Sequence, residues 1–195
     1  MRPGTLYLNA ARLIALGTMA ASLTACGFQL RSAPQVSSAL EPLALDCQPP
    51  VPTSLCLSVR EQLELNGIQL TSEDDAKYHL RIRNFEEDRR VSAITSEAAA
   101  AEYTLRHSVS LELISTDGIP VIASTPLTSV ESYLYDDTSV LAKQREEDGV
   151  KQQLDDRLAQ QIIFRLTPVS PERLQEIRAN HEKTNAPANT STDAL

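Results

Sequence analysis

Apolar and polar residues follow two rhythms along this chain, and the switches between them outline its elements. Leu40 to Leu45 is a short apolar stretch, enough for a first strand. The rhythm then becomes helical: Leu55, Val59 and Leu63 recur every fourth position, Thr53 or Ser54 offers an N-cap, and Asn66-Gly67 supplies a stop. Next the period drops to two. Tyr78, Leu80 and Ile82 alternate with His79, Arg81 and Arg83, and the run Tyr103, Leu105, His107, Val109, Leu111, Leu113 alternates with Thr104, Arg106, Ser108, Ser110 and Glu112. A fourth strand is expected from about Ile119 to Tyr135, where Pro126 predicts an edge position or a bulge because it donates no ladder hydrogen bond. A long helix follows from Ser139 to Leu166, capped by Asp136 to Ser139 and striped by Val150, Leu154, Leu158, Ile162 and Leu166, with Thr167-Pro168 ending it. Asp155, Asp156, Arg157, Gln160 and Gln161 are read as off that stripe. The order β-α-β-β-β-α predicts an α+β, two-layer domain: a four-stranded sheet with two helices on one face. Pro171 to Ile177 adds one turn at most, and the polar stretch after it is expected to be disordered.

The start of the chain follows another plan. Arg2 and Arg12 precede the apolar run Leu13 to Leu23, and small Ala25 comes just before Cys26. A basic end, a short apolar middle and a small-residue boundary make a secretory leader, too short in its apolar part to span a bilayer. Leu23-Thr24-Ala25-Cys26 matches the lipobox of bacterial lipoproteins, in which the cysteine is acylated and becomes the mature N-terminus. Several acyl chains hold a protein on a membrane where one holds it only marginally. Gly27, rather than aspartate, after the cysteine fits sorting to the outer membrane. The expected organisation is a leader over 1–25, a lipidated tether over 26–39, a folded domain over 40–168 and a tail over 169–195.

Charge and cysteines narrow the chemistry. The chain has 18 basic and 26 acidic residues, a net charge of −8; the leader holds two of the basic residues and no acid, so its removal leaves −10. That sign, with no tryptophan and 4% aromatic residues, excludes a nucleic-acid-binding class. Cys47 and Cys56 remain, separated by a segment holding Pro49, Pro50 and Pro52. An oxidising compartment favours a disulfide between them, stapling the first strand to the first helix, over two free thiols. No histidine cluster has metal-ligand spacing, so neither a metal nor another cofactor is expected. His79, His107 and His181 have no nucleophile motif beside them, and the chain lacks GxSxG, HExxH and a phosphate-cradling loop. Acidic runs such as Asp74-Asp75 and Glu86-Glu87-Asp88 read as solvated charge. An enzyme is not expected.

Four segments carry a resemblance: "CGFQLR" at the mature start, "EQLELNGIQL" ending the first helix, "AAEYTLRHSVSLEL" opening a strand, and "SYLYDDTSVLAK" entering the long helix. In this order, from Cys26 to about Leu166, the chain resembles the LPS-assembly lipoprotein family, LptE. The resemblance implies a four-stranded sheet with two helices on one face. It also implies a plug and assembly partner of the LptD outer-membrane barrel, in contact with lipopolysaccharide on its way to the outer leaflet. The alternative is a lipid-binding or adapter lipoprotein that works without a barrel.

Lipopolysaccharide is anionic, so a contact site should collect cations. Period-two spacing puts His79, Arg81 and Arg83 on one strand face, continuing to Arg89 and Arg90, with Arg106 on the next strand. Arginine suits phosphate through paired, charge-assisted hydrogen bonds. The alternative is that these side chains solvate a sheet face and pair with Glu86, Glu87 and Glu102. The stretch "TPLTSVES" carries no basic residue where this family can have one. The hairpin tip "TSEAAAAEY" is small and weakly charged; Thr95, Ser96, Ala98 and Ala99 are the expected contacts with a partner wall.

Overall fold

The computed structural model describes residues 35–96, 100–134 and 140–185. Cys26, the tip residues Ala98 and Ala99, and the expected cap Asp136 to Ser139 lie outside them. A short 3-10 turn, Ser38–Leu40, leads into β1, Leu43–Cys47. Then come α1, Thr53–Leu65; β2, Tyr78–Ile94; β3, Ala100–Ser115; β4, Pro120–Leu134; α2, Val140–Leu166; and α3, Pro171–Asn185. The sheet order is β1-β2-β3-β4, with β1 parallel to β2 and the remaining pairs antiparallel. The α+β reading holds, with three helices rather than two.

The apolar half of each rhythm becomes the core. Leu43, Leu80, Ile82, Val109, Leu111, Leu113 and Leu127 of the sheet cluster with Leu55, Val59 and Leu63 of α1 and with Leu158, Ala159, Ile162 and Leu166 of α2. Each leucine, isoleucine or valine among them contributes about 1.5–3 kcal/mol on burial. The helix stop behaves as its sequence predicts. Gly67 takes φ +83, Ile68 N–H donates to Leu63 O at 3.0 Å, Gly67 N–H donates to Glu64 O at 2.9 Å, and the Ile68 side chain is buried. Pro126 sits on the edge strand β4, opposite Ser110, next to a register shift of that strand. The free edge of β4 does not stand bare: Arg157 reaches the Val130 carbonyl at 3.3 Å and Gln161 the Thr128 carbonyl at 3.0 Å. Cys47 and Cys56 form a disulfide, Cα to Cα 6.2 Å, that ties the end of β1 to the first turn of α1.

Two expectations need correction. Neither Thr53 nor Ser54 caps α1; the N-cap is Pro52, without a side-chain cap bond, because the Ser54 hydroxyl is used elsewhere. The stretch after Pro168 is not a single turn followed by disorder, since α3 continues to Asn185. Its start signal is Ser170-Pro171-Glu172: the Ser170 hydroxyl accepts from Arg173 N–H at 3.2 Å, Pro171 opens the helix, and Glu172 places an acid in the first turn. Leu174 is buried and Val169 before it joins the main core, so this helix is docked despite its polar composition.

Candidate functional site

Among the described residues the helices pack on one sheet face, and the opposite face carries mostly polar side chains. A bulge decides which arginines stand there. Arg83 pairs with Ser110, and the next registered pair is Glu86 with Ser108, so Asn84 and Phe85 together oppose Val109. Asn84 takes φ 54, a left-handed conformation that asparagine tolerates, and its side chain bonds Ser110 Oγ at 3.3 Å. Two residues against one invert the alternation. Before the bulge His79, Arg81 and Arg83 face outward; after it Asp88 and Arg90 do, opposite Arg106 and Thr104. Arg89, opposite buried Leu105, turns under the sheet. The predicted set is therefore split, because a straight strand would have put Arg89 with Arg81 and Arg83.

The four outward arginines are not equivalent. Arg81 is 3.6 Å from Glu112 and 4.0 Å from Asp46, and Arg90 is 2.6 Å from Asp88. Arg83 and Arg106 have no acidic partner among the described residues, and Arg83 Nε is buried without an acceptor. Ser108, Ser110 and Thr128 share the face by register, so the open surface there is hydroxyl-rich with two uncommitted guanidinium groups. Thr95 and Ser96 are exposed at the hairpin tip.

The covered face beyond the bulge holds a second constellation, on β2, β3, β4, α1 and α2. His107 is 2% exposed; its Nδ1 lies 2.9 Å from Asp155 Oδ1 and its Nε2 3.1 Å from Glu87 Oε2. Ser54 donates to the other Asp155 oxygen at 2.6 Å. Lys151 bridges Glu87 at 2.9 Å and Glu147 at 3.3 Å. Tyr133 donates to Glu147 at 2.9 Å, and Arg89 reaches Glu147 at 3.5 Å while lying 3.9 Å over the Tyr103 ring. Tyr103 stacks on Tyr133, with ring centroids 6.0 Å apart.

These contacts set the charge states. Burial raises the Glu147 carboxyl, but donation from Tyr133 and the nearby Arg89 and Lys151 outweigh it and hold the group below its usual value. The bond to Glu87 raises Lys151 despite its burial. Burial, then the bond to Glu147, pushes the Tyr133 phenol up to about 12. The order Ser54–Asp155–His107 is not a hydrolytic triad. Asp155 stands between hydroxyl and imidazole, so His107 cannot take the Ser54 proton.

The spacing of the sequence missed this set. His107 is a polar residue within an inward alternation of Tyr103, Leu105, Val109 and Leu111, and that exception was the available signal. Asp155, read as off the helix stripe, is 2% exposed. It follows Leu154 and precedes Leu158 by one turn, on the edge of the stripe.

Comparison with known proteins gives one family. The family described as "LptE: Lipopolysaccharide-assembly" matches residues 38–166. An LPS-assembly lipoprotein LptE of Pectobacterium atrosepticum is 29% identical over 189 residues, covering 94% of each chain. The Yersinia pestis protein of the same name is 30% identical over 193 residues, covering 96% of this chain and 86% of its own. Among solved structures, a minor lipoprotein of Acinetobacter baumannii superposes with TM-score 0.55 at 26% identity, over 65% of this chain and 90% of its own. Lipoprotein B of Nitrosomonas europaea, at 15% identity and TM-score 0.61 over 77% of this chain and 96% of its own, shares the fold.

Proposed function

The chain belongs to the LptE lipopolysaccharide-assembly family, and from that premise we propose that it is a lipid-anchored outer-membrane lipoprotein that plugs an LptD-type barrel. In this reading it assists assembly of that barrel and contacts lipopolysaccharide passing through it. The carrying observation is similarity to LPS-assembly lipoproteins over 94–96% of the chain. Cys26 bears the lipid, on the periplasmic side, and a tether joins it to the domain. That tether is shorter than the 26–39 expected from sequence, because Val36 is already buried in the main core and the Ser38–Leu40 turn belongs to the fold.

The shape of the domain supports the plug. Beyond the bulge, β2 runs from Glu86 to Ile94, about 30 Å at ~3.3 Å per residue, comparable with the thickness of a bilayer core. Its open face carries Arg90, Arg106, Thr104, Ser132, Ser108 and Thr128, which suits the polar interior of a transmembrane barrel. Thr95 and Ser96, and Ala98 and Ala99 that follow them in sequence, are the residues this reading assigns to contact with the barrel wall.

Lipopolysaccharide phosphate is assigned to Arg83 and Arg106, the two outward arginines without an acidic partner among the described residues. An anion would satisfy the buried Arg83 Nε, whose isolation is costly. Arg81 and Arg90 stand beside them with acids attached, and Arg89 is engaged beneath the sheet.

The test is affinity purification of the tagged lipoprotein from detergent-solubilised outer membrane. An LptD-type barrel should copurify, identified by mass spectrometry, and the lipoprotein should carry acylated Cys26. Recovery of the lipoprotein in bulk without a barrel would favour the adapter reading.

A further inference from the structure

We propose that His107 is a positioning residue: clamped between Asp155 of the long helix and Glu87 of the hairpin stem, it fixes the angle at which the β2–β3 hairpin leaves the domain. The proposal rests on the plug reading for its purpose, since a hairpin meeting a partner wall must arrive in one pose.

The case begins with what holds the hairpin stem. The main apolar cluster, built on α1 and the C-terminal half of α2, ends near the bulge; beyond it the buried apolar residues, among the described ones, are Leu105, Tyr133 and Leu154, flanked by Tyr103 and Val150. Apolar contact is non-directional, so this patch specifies little of the angle between the stem and α2. Hydrogen bonds between charged groups are directional, and buried ionic sets are retained in some proteins because they specify one arrangement. Here both imidazole nitrogens lie within hydrogen-bond distance of carboxylate oxygens, 2.9 Å from Asp155 and 3.1 Å from Glu87, so the ring is gripped at both ends.

The ring is held from other sides too. Phe85, displaced inward by the bulge, meets it edge-on at 5.0 Å between centroids. Asp155 is fixed by Ser54, which lies in the helical turn that the Cys47–Cys56 disulfide ties to β1. Glu87 is fixed by Lys151, from the helix the stem rests on. An unbroken chain of bonds thus runs from the stapled end of α1, through α2, to the hairpin stem, with His107 as its central link.

The test separates positioning from stability. Nitroxide side chains are introduced at Ala93 and Gln153 through a genetically encoded residue, leaving the native cysteines untouched. Distances are read by pulsed electron resonance on the full-length lipoprotein in detergent. The native chain should give one narrow distribution. His107→Phe keeps the ring volume but removes both bonds, and should broaden it. Adding Glu87→Gln and Asp155→Asn removes the carboxylates that faced the ring, Asp155 buried and Glu87 partly exposed, so the melting temperature should recover toward native while the distribution stays broad. A native-width distribution in His107→Phe, or its return in the triple variant, would overturn the proposal.

A photo-crosslinker at Ser96 in cells gives the second readout, with capture of an LptD-type barrel expected to fall several-fold in the triple variant. Undiminished capture would overturn the positioning role and leave the plug intact. Absence of capture in the native chain would instead remove the plug reading, while the distance measurement would still judge the clamp.

Discussion

On one side of the Asn84–Phe85 bulge the sheet rests on α1 and α2 through leucine, isoleucine and valine; on the other side it rests on α2 largely through Glu87, Arg89, His107, Tyr133, Lys151 and Asp155. The first half is stabilised by area removed from water, which depends little on direction. The second half holds polar His107 and Asp155 out of water and leaves Glu87, Arg89 and Lys151 partly exposed around them, which is costly unless the buried pair keeps its partners. The difference teaches which part of the molecule is specified by burial and which by geometry. A core of leucines tells the chain to be compact; a histidine between two acids tells the hairpin where to point.

The largest effects should come from one deletion in each half. Leu158→Ala, at a fully buried position, should cost about 2–5 kcal/mol as a cavity. Asp155→Ala should cost about 1–3 kcal/mol for each group it strips of a partner, the half-buried Ser54 hydroxyl and the buried His107 Nδ1. Denaturant unfolding distinguishes the halves through a second step. Adding His107→Phe to Asp155→Ala should cost far less than His107→Phe alone, since the contact is already gone. Full additivity would show that the ionic set does not act as a unit.

The disulfide is expected to contribute less. Its nine-residue separation closes a short loop, for which loop entropy gives ~2–3 kcal/mol. Reductant should lower the melting temperature by several degrees and raise exchange at the amides of the first turn of α1. An unchanged melting temperature with both thiols titratable would contradict the structure there.

Smaller again, and confined to the ionic half, is a dependence on pH. A carboxyl held below its usual 4.5 stabilises the fold above that value and gives this up as pH falls through its own lowered titration, so Glu147 should matter at neutral pH and cease to matter in acid. Lys151 is raised, so its contribution is full below 10.5 and lost as pH rises beyond it. Tyr133 behaves likewise between 10.0 and about 12. The melting-temperature gap between native protein and Glu147→Gln should close on acidification. A gap independent of pH would mean that the residue acts through packing alone.

How far the sequence could be read follows the same division. The apolar half was legible because burial writes itself as periodicity: Leu55, Val59 and Leu63 for the helix, Tyr78, Leu80 and Ile82 for the strand. The bulge was not legible, since no glycine or proline marks Asn84-Phe85, and one inserted residue exchanges the faces of Arg89 and Arg90. The buried acid on α2 was hidden for a different reason. Hydropathy puts aspartate outside, and hydrogen-bond partners from two other elements, His107 and Ser54, let Asp155 lie inside. The third helix escaped because Leu174 and Ile177 are too few to make a stripe, although Ser170-Pro171-Glu172 announced its start. For the site residues, arginine spacing identified the open face, but only the ion pairs distinguish Arg83 and Arg106 from Arg81 and Arg90.

The most direct test of the plug reading is where the molecule touches its partner in living cells. Photo-crosslinkers at Ser96 on the hairpin tip and at Gln153 on the exposed side of α2 are compared in the full-length lipoprotein, with each adduct identified by mass spectrometry. Efficient capture of an LptD-type barrel from Ser96, above that from Gln153, is the result predicted for a hairpin that leads into the barrel. Strong capture of the barrel from Gln153 with none from Ser96 would contradict it.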